Sequence, residues 1–173
     1  MAEKNLHLVF HELCDEGNIN GIDLFLKNNS AHWNINQAVS ISFGDNCHEI
    51  TKHILENYNI DIYQKNELLI RETCFYKVND FAKYLLSSPK LKINANPMTA
   101  FHSSCRSENE EMIEYIISKA SAELKKEIEK HINGEFSSPA YTYAQKIMKS
   151  VNLSNELHNK LNSNEAKPIK RKI

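Results

Sequence analysis

The chain carries a pattern that recurs about every 30 residues, and such a period constrains the fold more than any other feature of the sequence. Residues 10–14 and 101–105 both contain Phe, His and Cys in the same order and at the same offsets. Apolar doublets recur at nearly the same interval, at residues 25–26, 54–55, 85–86 and 116–117. A period of this length is typical of repeat proteins, in which each unit is one small supersecondary structure.

Each recurring segment has the pattern of two short helices joined by a polar turn. In the second half of each unit, apolar residues recur at helical spacing, as in residues 19–26 and 112–117, so one helix face is predicted to be buried. The whole chain contains only four glycines and four prolines, which also favours helices. One helix pair cannot bury its apolar face alone, which is why such units stack.

The predicted turns lie at residues 16–18, 45–47, 76–78 and 107–109. Gly17 and Asn46 at two turn centres suit a backbone with positive φ, whereas Lys77 and Glu108 at the other two do not.

Several segments resemble the ankyrin repeat, whose first helix opens with Thr-Pro-Leu-His and continues into a pair of small residues. Residues 99–105, Thr-Ala-Phe-His-Ser-Ser-Cys, follow that pattern, and residues 8–14 follow it less closely. Residues 49–56, Glu-Ile-Thr-Lys-His-Ile-Leu-Glu, are similar to the family's second helix. Residues 92–95, Lys-Ile-Asn-Ala, are similar to its Asp-Val-Asn-Ala segment.

The resemblance implies an all-α stack of helix pairs, an α-solenoid of ankyrin type. The linkers are shorter than the family's and lack its Asp-x-x-Gly turn, so we expect short or stunted β-hairpin fingers. The repeat domain is predicted to span residues 1–161, followed by a disordered basic tail at residues 162–173. Within the domain we expect units at about 6–36, 37–67, 68–97 and 98–120, an inserted helix at 121–133 and a capping unit at 138–161.

Charge and composition exclude several classes of function. The formal net charge is −1, so the chain has no overall basic field for binding nucleic acid. No apolar run has the length of a signal peptide or of a membrane span, and we therefore expect a cytoplasmic protein with no membrane partner. In that compartment the four cysteines are expected to be reduced.

Two His-x-x-Cys pairs raise the question of a metal site. His11 with Cys14, and His102 with Cys105, have a spacing that could supply two zinc ligands each. The alternative, which we favour, is that each His begins the repeat's first helix and each Cys fills a place that needs a small residue. No nucleophile motif or glycine-rich phosphate loop is present. We therefore predict no metal, no cofactor, no small-molecule substrate and no catalytic residue, with a divergent helical enzyme or zinc protein as the alternative.

The resemblance implies that the residues just after each small pair face the concave surface of the stack, where a partner protein binds. Phe75 and Tyr76 would form an aromatic anchor there, since aromatic and Arg side chains dominate interface affinity. The alternative is that one of the two rings turns into the core. The predicted surface consists of Asp15, Glu16, Asp45, Phe75, Tyr76 and Arg106.

Two further aromatic residues, Trp33 and Tyr63, lie in predicted linkers, where the family places its binding fingers. Either one could instead fill a gap between repeats, and for Trp33 we favour that interpretation.

The hypothesis from the sequence is a non-enzymatic module that binds a partner protein. Its composition also suits an effector or inhibitor of viral, phage or intracellular-bacterial origin that acts in the cytoplasm of a host. The basic cluster Lys167–Lys172 permits a second alternative, a nuclear or nucleic-acid-associated adaptor, although a solvated tail is the commoner role of such a cluster.

Overall fold

A computed structural model describes residues 5–30, 33–58, 62–91, 95–133 and 139–165. These residues form ten α-helices and no strand, so the prediction of an all-α fold is confirmed, and no β-hairpin finger is present in them. The helices are α1 (Leu6–Asp15), α2 (Ile19–Asn28), α3 (Ile35–Gly44), α4 (His48–Asn57), α5 (Ile62–Phe75), α6 (Asn79–Ser87), α7 (Pro97–Arg106), α8 (Glu110–Lys119), α9 (Ala122–Ile132) and α10 (Pro139–Glu165).

The first eight helices form four consecutive pairs that share one turn geometry. The central residue of each turn has positive φ: 63° at Gly17, 59° at Asn46, 60° at Lys77 and 51° at Glu108. The next residue donates its N–H to the carbonyl five positions earlier in all four turns, for example from Asn109 to Ser104 over 2.8 Å. This bond belongs to the Schellman motif. Lys77 and Glu108 therefore adopt a conformation that their residue types disfavour.

Three cysteines occupy equivalent places in this arrangement, as the period predicts. Cys14, Cys74 and Cys105 each lie three residues before the positive-φ residue and are 2%, 0% and 2% exposed. Phe43 takes that place in the second pair, whereas Cys47 is the N-cap of α4. The cysteine spacing therefore reflects packing positions on the first helix of each pair.

The chain divides into two compact units, each with its own core. Unit 1 comprises Met1–Ile70 and Asp80–Ala95, and unit 2 comprises Arg71–Asn79 and Asn96–Ile173. The largest fully buried side chains of unit 1 are Phe10, Ile22, Val39, Ile54, Ile70, Phe81 and Leu85, and those of unit 2 are Phe101, Met112, Ile113, Ile117 and Ile128.

Two helices begin earlier than the predicted units in which they were expected. Helix α3 begins at Ile35, whereas the second unit was expected from about residue 37, and α5 begins at Ile62, whereas the third unit was expected from about residue 68. Asn34 explains the first difference, because its side chain accepts a bond from the N–H of Asn36 and caps the helix earlier. No Gly or Pro stands between residues 62 and 68, so nothing stops α5 from starting there.

The C-terminal part of unit 2 contains α9 and α10. The predicted inserted helix is present as α9, capped by a bond of 3.2 Å from the N–H of Leu124 to Ser121. The predicted capping segment is a single helix of 27 residues, α10, which contacts α7, α8 and α9. Its last four residues, 162–165, were predicted to belong to the disordered tail, and the rest of that tail lies outside the described residues.

Candidate partner-binding surface

An exposed aromatic pair stands at the end of α5. Phe75 is 50% and Tyr76 is 70% exposed, and their ring centroids lie 5.4 Å apart in an edge-to-face arrangement. The preceding residue, Cys74, is fully buried, which turns the side chain of Phe75 outward. The structure thus places both rings on the surface of unit 2 and not in its core.

The backbone of this pair is held by the turn between α7 and α8. Ser107 and Asn109 both donate side-chain hydrogen bonds to the carbonyl of Cys74, over 3.0 and 2.9 Å. The buried Asn109 also donates to the side chain of Asn79 over 2.8 Å. The aromatic pair therefore stands on a fixed segment, which lowers the conformational entropy lost on binding.

Arg106, the charged residue predicted to border the aromatic pair, is exposed at the end of α7. It directly precedes Ser107, whose hydroxyl bonds to the carbonyl of Cys74, so the ends of α5 and α7 are neighbours. Arg106 is also close enough to Tyr141 for its charge to oppose the rise in the tyrosine's pKa that burial causes. These contacts place Arg106 in unit 2 beside the segment that carries the aromatic pair.

The predicted acidic residues belong to unit 1. Asp15 and Glu16 are exposed at the end of α1. Asp45 is only partly available to a binding partner, because one of its carboxylate oxygens lies 2.5 Å from Nδ1 of His11. Asp45 therefore links the first helix pair to the second, a role the sequence did not indicate.

Trp33, predicted to bind a partner with gap filling as the favoured alternative, is largely buried in unit 1. Trp33 is 7% exposed and packs against the rings of His7, Phe10 and Phe25, with centroid distances of 4.7, 5.5 and 5.1 Å. The large ring fills space beside α1 and α2 that smaller residues would leave empty. Tyr63 lies within α5 and not in a linker, and its side chain is outside the described part of the structure.

The two His-x-x-Cys pairs are engaged in packing. His102 lies 3.3 Å from the hydroxyl of Tyr141, and burial with the nearby charge of His131 lowers its pKa. Burial raises the pKa of Cys14 and of Cys105 to about 12, which keeps both thiols protonated and weakly nucleophilic. Among the described residues, no three His, Cys, Asp or Glu side chains form a group that could hold a metal ion.

A polar network in unit 1 has no counterpart in the sequence predictions. Asp23 accepts a bond of 2.6 Å from the hydroxyl of Tyr58 and lies 2.8 Å from Nε2 of His53. Although burial alone would raise the pKa of Asp23, these bonds lower it below its ordinary value. Asn57 donates to the other ring nitrogen, Nδ1 of His53, over 3.2 Å.

Both imidazole nitrogens of His53 are thus occupied, and the network links α2 to α4. The residues involved lie about one repeat period apart, and that spacing is the signal that could have revealed the network. It borders an open cleft of 690 Å³ that Trp33 also lines.

Arg71 is a surface residue that the sequence predictions omitted. It is exposed on α5, and its carbonyl accepts a bond of 2.7 Å from Ser103. Aligning the units on their turns would have placed Arg71 at the position of His11 and His102, because each lies six residues before a positive-φ residue.

No described helix combines the length and apolar character required to cross a membrane. No family model, no curated protein and no solved structure matches this chain.

Proposed function

We propose that this chain is a non-enzymatic module that binds a partner protein through Phe75 and Tyr76, within a stack of ankyrin-type helix pairs. The observation that carries the proposal is the exposure of two adjacent aromatic rings, 50% and 70%, on a segment tied down by side-chain hydrogen bonds. Exposed aromatic residues on a rigid support are typical of interface hot spots, where one side chain contributes about 2 kcal/mol or more.

The protonation and hydrogen bonding of the side chains that could act in catalysis also support a binding role. Raised thiol pKa values at Cys14 and Cys105 disfavour nucleophilic catalysis by these residues. Two hydrogen-bond partners leave His53 without a free nitrogen for use as a base. The proposal includes a role in the cytoplasm, with an effector that acts on a host protein as one form of it.

The test begins by identifying a partner through affinity purification and then measures its affinity for purified variants by calorimetry. Phe75→Ala combined with Tyr76→Ala should weaken binding at least about tenfold, since the loss of such an anchor exceeds 1.4 kcal/mol. Because both rings are exposed, the melting temperature should change little.

The matched control replaces two other exposed apolar residues of unit 2, Leu153→Ala with Leu157→Ala, which are 58% and 53% exposed. This variant should bind the partner as the wild type does. Equal weakening by both variants, or wild-type affinity in the aromatic variant, would refute the proposed surface.

A further inference from the structure

We propose that the segment of the partner that meets Phe75 and Tyr76 is acidic, a stretch of Asp or Glu residues combined with an apolar or aromatic side chain. This inference rests on the proposed function and specifies the chemistry of the partner.

The first support is a pair of arginines beside the aromatic rings. Arg71 lies four residues before Phe75 on α5, a spacing that places two side chains on the same face of a helix. Arg106 ends α7, whose next residue bonds to the backbone of Cys74. Both arginines are exposed, and neither forms an ion pair with a carboxylate in the described part of unit 2.

The second support is the distribution of charge over equivalent positions. At the positions six, two and one residues before its two turn centres, unit 2 has Arg71, Phe75, Tyr76, His102, Arg106 and Ser107, which include no carboxylate. Two acidic residues adjoin these positions in the chain, the half-buried Glu72 and the exposed Glu108 at one turn centre. Exposed Lys77 occupies the other turn centre, so the charges of Lys77 and Glu108 offset each other.

Unit 1 carries the opposite charge at the same positions, where Asp15, Glu16 and Asp45 occur. The basic character is therefore particular to the positions around the aromatic pair and does not reflect the composition of the chain, whose net charge is −1.

Carboxylates are the chemical group that this arrangement fits best. A guanidinium can bind a carboxylate through two parallel hydrogen bonds, and such bonds are shorter and stronger than neutral ones. The rings supply apolar contact area beside the arginines. Complementary charge would then determine which segment binds and how fast it associates.

The experiment measures binding of the full chain to labelled random copolymers by fluorescence anisotropy. The probes are a glutamate–tyrosine copolymer, a lysine–tyrosine copolymer and an oligothymidylate of similar length. The glutamate–tyrosine copolymer should bind at least about tenfold more tightly than either of the others, and added salt should weaken its binding.

Charge reversal provides the specific test. Arg71→Glu with Arg106→Glu should reduce affinity for the glutamate–tyrosine copolymer at least about tenfold. The matched control is Lys126→Glu with Lys146→Glu, which changes the net charge equally at two exposed lysines of α9 and α10. The control should retain most of the affinity, and circular dichroism should show the same helix content in both variants.

The results separate this inference from the proposed function. If the arginine variant binds the acidic copolymer as the wild type does, while Phe75→Ala with Tyr76→Ala does not bind, the inference about acidic partners is wrong. The proposed binding surface at the aromatic pair is then still supported. If the aromatic variant binds normally, the surface itself is wrong. Three results would each overturn the inference. The chain could fail to bind the acidic copolymer, it could bind the oligothymidylate more tightly, or it could self-associate in a way that the arginine reversal abolishes.

Discussion

His48 is half-buried beside two aromatic rings of unit 1. Its ring is 5.5 Å from that of Phe43 and 5.2 Å from that of Phe81, centroid to centroid. Its Nε2 atom is buried and has no hydrogen-bond partner among the described residues. Burial and the nearby charge of Lys52 lower the pKa of His48 below its ordinary value of 6.5. The folded protein therefore favours the neutral imidazole.

This environment predicts a loss of stability in mild acid. The unfolded chain binds a proton at His48 more readily than the folded chain does, so acidification favours unfolding. The stabilising contribution is complete above the unfolded pKa of 6.5 and decreases as the pH falls below it. Urea unfolding of the wild type should therefore give a lower free energy at about pH 5.5 than at about pH 7.5.

His48→Phe should reduce that pH dependence while keeping the aromatic packing, and should raise the free energy of unfolding near pH 7 by about 1 kcal/mol. His102 also has a lowered pKa and remains in both proteins, so the difference between the two curves isolates His48. An unchanged pH dependence in the variant would contradict the assigned role.

The residue types alone could predict where some side chains lie, but not where others do. The exposure of Phe75 follows from the repeat, because the buried Cys74 fixes which way its neighbour points. The bond from His11 to Asp45 joins different helix pairs, and neither local sequence determines how close they lie. Trp33 follows a short linker, and only the packed helices show that a gap beside Phe10 and Phe25 accepts its ring.

At the scale of elements, the turns within the four helix pairs determine how each pair closes. Glu108 adopts a φ of 51° because the turn's hydrogen bonds and the buried Asn109 hold the backbone there. A left-handed conformation costs a non-glycine residue about 1–2 kcal/mol, although Asn tolerates it better. The turn at Glu108 therefore stores strain that the turn at Gly17 avoids.

Glu108→Gly should consequently raise the free energy of unfolding by about 1 kcal/mol, because glycine relieves the strain. Gly17→Ala provides the reverse test, since the turn has a φ of 63° and no atom within 4 Å of the added Cβ. It should lower stability by a similar amount through strain alone. Thermal and urea unfolding measure both effects, and destabilisation by Glu108→Gly would show that its side chain matters more than its backbone.

The period and the amphipathic pattern were sufficient to predict the helix pairs, because both depend on local spacing of apolar residues. The helix ends were harder to predict. Helix α5 begins at Ile62, in a polar stretch that has no apolar period, and α10 continues to Glu165, beyond the residues that are buried in the core. The residues in these stretches favour the helical conformation by themselves, so both helices extend beyond the part that packs against the core.

Across the whole molecule, the buried residues of α10, among those whose side chains the structure describes, lie in its first half. Ala140, Tyr141, Ala144 and Met148 are 4%, 8%, 0% and 4% exposed in the core of unit 2, whereas Leu153 and Leu157 are more than half exposed. The predicted apolar pattern thus extends to Leu153 and Leu157, beyond the residues that are buried in the core of unit 2.

Two truncations should therefore differ sharply in their effect. Removing residues 152–173 deletes the tail and the part of α10 whose described side chains are exposed, so the free energy of unfolding should change by less than about 0.5 kcal/mol. Removing residues 139–173 also deletes Tyr141 and Met148 and exposes the apolar surfaces of α8 and α9. Burying one such side chain contributes about 1.5–3 kcal/mol, so this truncation should cost at least about 3 kcal/mol and promote aggregation. Urea unfolding and sedimentation velocity test the two outcomes, and equal tolerance of both truncations would mean that α10 does not cover the core of unit 2.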